Sequence, residues 1–215
     1  MMLRGGTQVQ RNQVVSLRCP GCRQIGTFDG VVQHDAQSQS DNRPCIVGLR
    51  SCPNPSCRAL IFFVWGIAGP PSLLASYPPE RLDFDATNIP TSITKALEEA
   101  ITCHANECFI ASAIMVRKTL EELCHERGAT GANLKNLKDR LRDLGTKVIL
   151  PQELLTGLDD LRLLGNDAVH IESQEFNAVG KEEVEIGIQF TKEVLKAVFQ
   201  YSDLLAKLRS LKRTP

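Results

Sequence analysis

Two sets of residues in this chain have the types and spacings that do chemistry. The first is a polar stripe in an otherwise apolar C-terminal half. Arg162, Asn166 and His170 recur every fourth residue within Arg162-Leu163-Leu164-Gly165-Asn166-Asp167-Ala168-Val169-His170. On a helix they would share one edge of the buried face. A histidine can take the proton of a ribose 2′-OH, and an arginine can stabilise charge growing on a phosphate. Asn166 could orient that imidazole or bind a phosphate oxygen. The same residues could instead tie helices together, with the stem of Arg162 lying over leucines. Arg117 and Glu121 sit one turn apart on another helix. They read either as an intrahelical ion pair of ~0.3–0.5 kcal/mol, or as Arg117 reaching across to the Asn166/His170 stripe.

The second set is Cys19-Pro20-Gly21-Cys22 and Cys52-Pro53-Asn54-Pro55-Ser56-Cys57, two cysteine pairs with 29 residues between them. Each lies in a turn sequence that can face two thiolates towards one point, the requirement of tetrahedral zinc. Ile25 to Val32 and Cys45 to Arg50 are expected to pair as strands around the polar turn Gln37-Ser38-Gln39-Ser40-Asp41-Asn42. That is the plan of a zinc ribbon, with Cys19, Cys22, Cys52 and Cys57 as ligands. Four sulfurs leave no open position, so the zinc is expected to be structural. Cys45 is a competing ligand, although its place at the start of an apolar strand favours a packed thiol. Cys103, His104, Cys108, Cys124 and His125 lack knuckle spacing and read as packed on helices. His34 reads as solvated.

The totals bound what these residues can serve. Lys plus Arg equals Asp plus Glu, so no global field advertises DNA or membrane binding. The balance is uneven: residues 1–68 hold seven Arg, no Lys and three Asp, a charge of +4 against −4 for the rest. An arginine-only module is compatible with phosphate contact. The first fifteen residues lack an apolar signal region, and the run Ala59 to Trp65 is far short of the ~20 residues that span a bilayer. Eight Cys without an export signal are expected as free thiols or metal ligands, and a soluble, cytoplasmic protein is expected.

The elements that must position these residues fall into three regions. Residues 14–68 read as the zinc-ribbon module, and 69–90 as a proline-rich linker holding Pro70, Pro71, Pro78, Pro79 and Pro90. Residues 91–212 read as a helical bundle. Thr91 or Ser92 can cap a helix over about 92–104, and a second runs from Asn106 to Arg127 with Gly128 as its stop. A short amphipathic helix over Asn133–Leu144 ends at Gly145. The next starts near Pro151 and carries the stripe, and a last long helix covers about 180–209.

The helical half resembles the domain-of-unknown-function family 4145, itself similar to the HEPN superfamily of helical nucleic-acid-associated domains. The residues that carry the resemblance are Ile89-Pro90, Ala96-Leu97-Glu98-Glu99-Ala100, Ala113 through Arg117-Lys118-Thr119-Leu120-Glu121, Asn133-Leu134 and the Arg162–His170 motif. The front ribbon and Tyr77-Pro78-Pro79 also fit that family's usual arrangement. The resemblance implies a mainly α fold, a five-helix HEPN-like bundle preceded by a small β zinc ribbon. HEPN ribonucleases typically carry an Arg, often followed by a polar residue such as Asn, with a His four to six residues beyond. They often dimerise so that two such motifs face each other. Asn166 and His170 occupy the matching positions, whereas Gly165 stands where the Arg is expected. The nearest, Arg162, is ~12 Å along the helix axis from His170 instead of ~7.5 Å. The resemblance further implies a phage-defence setting of the restriction type.

The expectation that follows is an accessory or binding protein with a structural zinc ribbon. It is expected to homodimerise, to engage RNA, DNA or a defence-system partner protein, and not to engage a membrane. The alternative is a metal-independent, toxin-like endoribonuclease using His170 and Arg162, with Asn166 and Arg117 in support.

Overall fold

The computed structural model describes residues 1–10, 13–169 and 179–211. The chain divides into two compact units, Met1–Asp83 and Phe84–Pro215.

The first unit is a substantial sheet, which overturns the mainly α expectation of a bundle carrying a minor ribbon. Its strands are β1 (Leu3–Gln10), β2 (Ser16–Arg18), β3 (Ile25–Thr27), β4 (Asp29–Gly30), β5 (His34–Ser40), β6 (Arg43–Ser51), β7 (Leu60–Gly66) and β8 (Ser72–Tyr77). Six of these form one antiparallel sheet in the order β1-β5-β6-β7-β8, with β4 also on β6, while β2 and β3 pair separately. The polar segment 37–42 is therefore mostly strand. Only Asp41 and Asn42 turn, both at positive φ (48° and 63°). That backbone suits a two-residue hairpin, and Asp and Asn tolerate it. Ile25–Thr27 pairs with Ser16–Arg18 rather than with β6, whose long partners are β5 and β7. Ser72–Tyr77, inside the stretch read as a linker, pairs along β7. Its run Ser-Leu-Leu-Ala-Ser-Tyr sits between the proline pairs and keeps every backbone donor the ladder needs.

One side of this sheet carries a buried ion pair. Arg50 donates to Asp35 Oδ1 at 2.8 Å and Oδ2 at 2.7 Å. Its remaining donors reach Leu49 O and Gln13 O, each at 2.9 Å, and the guanidinium lies 4.5 Å above the Phe63 ring. Gly48 makes room: a Cβ there would collide with Asp35 Oδ1 and stand 2.9 Å from Phe63. Arg50 is thus a core residue and is unavailable to a phosphate.

The second unit has six helices among its described residues, not the five expected. They are α1 (Thr91–Ala105), α2 (Phe109–Glu126), α3 (Leu137–Lys147), α4 (Gln152–Asp167), α5 (Lys181–Leu195) and α6 (Tyr201–Ser210). Helix α2 lies at the centre, packing on α1, α3, α4 and α5. Its Val116, Leu120 and Leu123 meet a core built from Leu97, Ile101, Leu158 and Ile188, all fully buried. Burying each such side chain contributes about 1.5–3 kcal/mol. Helix α1 begins on Pro90 without a side-chain cap. Helix α3 starts later than the leucine pattern suggested, because Asn136 accepts the Asp139 amide at 2.9 Å as its N-cap. Gly145 lies inside α3 instead of ending it. The last helix is interrupted by a π turn, Lys196–Gln200. Arg127 from the end of α2 donates to Val198 O at 3.0 Å and covers Phe199 at 4.2 Å. Gln200 donates to Asp85 O and Thr87 O at 3.1 and 3.0 Å. These contacts hold the widened turn from both sides.

Candidate functional site

In the first unit, chain reversals bring the two cysteine pairs together. Cys19 follows β2 and Cys22 precedes β3, while Cys52 follows β6 and Cys57 precedes β7. The first reversal is tied by Cys19 N–H to Gln24 O and Arg23 N–H to Cys19 O, both 2.9 Å. The second is tied by Cys52 N–H to Ala59 O at 2.8 Å and Cys57 N–H to Asn54 O at 3.0 Å. Asn54 Oδ1 also accepts the Ser56 amide at 3.0 Å, which organises the longer loop. Each pair is followed by an arginine at positive φ, Arg23 (62°) and Arg58 (49°). The two knuckles thus end alike despite their different lengths.

The four sulfurs lie within 4.8 Å of one another, a cluster whose geometry could bind a metal ion. Cys19 and Cys57 Sγ are 3.7 Å apart, and Cys22 and Cys52 Sγ are 3.8 Å apart. The Gly21 amide points at Cys19 Sγ from 3.4 Å, and a Cβ on Gly21 would stand 3.1 Å from Cys57 Sγ. The backbone amide of Gln24 pulls the Cys22 thiol down to about 7, with the other three sulfurs adding to it. Burial pushes Cys52 up to about 12. Cys19 and Cys52 sit in the core of the unit with Val15, Leu17, Phe28, Ile61 and Phe63. The cluster is therefore continuous with the apolar packing. Cys45 stands at the other end of β6, opposite Ser38 and Gly66, buried and outside the cluster.

The remaining candidates do not converge on a second metal. Among the described residues the four front cysteines are the one such group. Cys124 is buried, as packing predicted, and so is His104, against Phe109 and 3.8 Å from Glu185. Cys108 and His125 are exposed instead. His34 is exposed as expected.

The stripe lies on α4, and Arg117 reaches it from α2. Arg117 Nη1 donates to Asn166 Oδ1 at 2.5 Å and points at Arg162 O from 3.5 Å. Its Nε is also 3.6 Å from Glu121 Oε1, so the local pair and the long reach coexist. Gly165 explains how. A Cβ at that position would stand 2.6 Å from Arg117 Cβ and 3.1 Å from Cδ. The helices cross so closely that Arg117's stem fills the space a side chain at 165 would need. Arg162 turns away from this pair and donates to Asp159 Oδ1 at 2.6 Å, with its side chain 14% exposed. That bond holds the Asp159 carboxyl below its usual range. His170 lies outside the described residues. The Arg117–Asn166 bond joins residues 49 positions apart and is the longer of the two readings that the sequence left open for Arg117.

Residues 98–213, more than half of the chain, match the model of a family described as domain of unknown function (DUF4145). No curated protein and no solved structure matches the chain. No helix among the described residues is long and apolar enough to cross a membrane.

Proposed function

The chain belongs to the DUF4145 family, and from that premise we propose that it is a HEPN-like accessory binding protein rather than an enzyme. It holds a structural zinc in its first unit and engages nucleic acid or a protein partner in a prokaryotic, restriction-type defence setting, as a homodimer. Sulfurs at about 2.3 Å from a central zinc form a tetrahedron with edges of about 3.8 Å. The Cys19–Cys57 and Cys22–Cys52 spacings of 3.7 and 3.8 Å fit those edges. Four thiolates close the coordination shell, so the metal would supply folding energy to a unit whose core they complete.

The observation that carries the binding reading is Gly165 packed under Arg117. No cation can project from position 165, and both nearby arginines are engaged, Arg162 with Asp159 and Arg117 with Asn166. Labelled RNA and DNA incubated with the protein should stay intact. EDTA-resistant cleavage that disappears in His170→Ala would overturn this reading.

The same crossing also gives the ribonuclease reading its one specific support. Arg117 enters the stripe where a residue-165 side chain would start, beside Asn166. A metal-independent endoribonuclease would use His170 as base, with Arg117 or Arg162 stabilising charge on the phosphate. Induced expression should then slow growth, and His170→Ala and Arg117→Ala should each relieve it. Identical growth of all three strains supports the binding reading.

A further inference from the structure

Helices α1 and α2 end in the same kind of turn, and the difference between the two ends singles out a pair of sulfurs. At the end of α2 the Gly128 amide donates to His125 O at 3.0 Å and the Ala129 amide to Cys124 O at 2.8 Å. Gly128 is at φ 68°, so this is a Schellman turn. Such a turn brings the side chain after the left-handed residue onto the one three places before the cap. Here that pair is Cys124 and Ala129, both fully buried, and the contact is ordinary packing. At the end of α1 the Glu107 amide donates to His104 O at 3.0 Å and the Cys108 amide to Cys103 O at 2.9 Å, with Glu107 at φ 61°. The pair brought together is therefore Cys103 and Cys108. Cys108 is exposed and Cys103 half-buried. The Cys108 Sγ donates to Asn106 O at 3.5 Å, which turns the sulfur back over the turn. Side-chain contact across such a turn meets the requirement of a disulfide, whose Cα atoms stand about 4.4–6.8 Å apart. His104 and Phe109, the chain neighbours of the two cysteines, already pack edge to face with ring centroids 5.8 Å apart. A bond between the sulfurs would follow a contact the fold already makes.

The two sulfurs are unequal. Burial pushes the Cys103 thiol up, and the charges of Cys108 and Glu99 add to it, which also sets Cys108 close to Cys103. An open sulfur beside a shielded one divides the work between an attacking thiol and a resolving thiol. Cys124 has no such division: it is buried, pushed up to about 12, and faces an alanine across its own turn. We propose that Cys103 and Cys108 are a hydroperoxide-reactive thiol pair that closes to a disulfide across the α1–α2 turn. The Cys108 sulfur attacks the hydroperoxide, an S–O bond forms as the O–O bond breaks, and the alcohol or water leaves with a proton. Cys103 then attacks the sulfenic sulfur of Cys108. The S–S bond forms, the S–O bond breaks, and hydroxide leaves as water with the Cys103 proton. Two thiols and one hydroperoxide thus give one disulfide, one alcohol and one water. Two small-molecule thiols reverse it by becoming a disulfide themselves. The pair goes beyond the binding reading and does not depend on it.

The test treats full-length protein with equimolar hydrogen peroxide and maps tryptic peptides by mass. Residues 96–117 carry both cysteines on one peptide, and residues 119–127 carry Cys124 on another. The first peptide should become two hydrogens lighter and recover with dithiothreitol, while the second keeps its free thiol. In Cys103→Ser the sulfenic acid of Cys108 should persist and be trapped by dimedone. In Cys108→Ser residue 103 should stay a free thiol. The mapping is made on the unaltered protein, so it decides the matter whether or not a variant folds. A disulfide between two chains overturns the pair, and so does Cys108 carried to the sulfinic acid with Cys103 still free. Equal oxidation of Cys124 at that dose would show unselective attack and overturns it too. An unreacted 96–117 peptide overturns it outright.

Discussion

The two units of this chain are held together in different ways. The helical unit rests on many equivalent apolar contacts along α2, each of modest size, among Leu97, Val116, Leu120, Leu158 and Ile188. The β unit concentrates its specification in two points, four sulfurs at one end of the sheet and the Asp35–Arg50 pair beside them. A distributed core yields gradually to substitution, whereas a point-held one fails at a single position. The difference teaches where residues can be altered without unfolding, since the stripe on α4 lies in the unit with reserve.

Removing the zinc proposed for the four cysteines is the strongest way to break this comparison. Apparent binding energies of structural zinc sites are about 10–16 kcal/mol, so chelation or Cys52→Ala should unfold the first unit. Trp65, the only tryptophan, lies in β7 and reports on that unit alone. Its emission should shift to the red while helical ellipticity at 222 nm stays. Simultaneous loss of both signals would mean the units are one cooperative body. The second effect in size is Arg50→Ala, which strands the buried Asp35 carboxylate and should cost about 3–5 kcal/mol. Denaturation followed at Trp65 measures it, and an unchanged midpoint would remove the ion pair from the argument.

Gly165→Ala comes next. Its new methyl meets the stem of Arg117, and overpacking of this kind costs about 1–3 kcal/mol. The 222 nm melt should move down, with Trp65 emission unchanged. Gly145→Ala is the control, because Leu155 can yield and a helical alanine gains up to about 1 kcal/mol over glycine. Equal effects at the two glycines would discredit the close crossing. The smallest effect concerns His104. Burial holds its pKa below the ordinary value of 6.5, against a weaker upward pull from Glu185. The unfolded chain therefore takes up the proton first as pH falls. Stability is fully present above about 6.5 and declines as pH drops from there towards the folded value. Melting temperatures between pH 7.5 and 5.5 should slope less in His104→Phe than in the parent protein.

What was legible in the sequence was local. Two cysteine pairs in turn-forming context are short-range signals, and so is the leucine spacing of α2. Segment β5 was hidden because Gln37-Ser38-Gln39-Ser40 resembles a loop, yet Ser38 and Ser40 are buried by their neighbours in the sheet. Arg50 counted towards a basic surface because its partner is 15 residues away and pairing leaves no mark on composition. Gly128 and Gly145 were both read as stops, and Gly165 as a missing arginine. Gly128, at φ 68°, is a stop, but Gly145 and Gly165 are set by what a neighbouring helix places against them. The Arg117–Glu121 pair was legible at one turn, and the reach of Arg117 to the stripe was an open alternative that only the packing of α2 on α4 decides.

The π turn at Lys196–Gln200 acts as a change of phase. One extra residue in the turn rotates everything beyond it by about 100°, so the inward spacing of Val184, Ile188, Thr191 and Leu195 does not run on in the same register. Those four residues are buried, whereas Leu204, Leu205, Leu208 and Leu211 beyond the turn are all exposed. The five residues clasped by Arg127 and Gln200 thus mark where the buried stripe of the last helix ends.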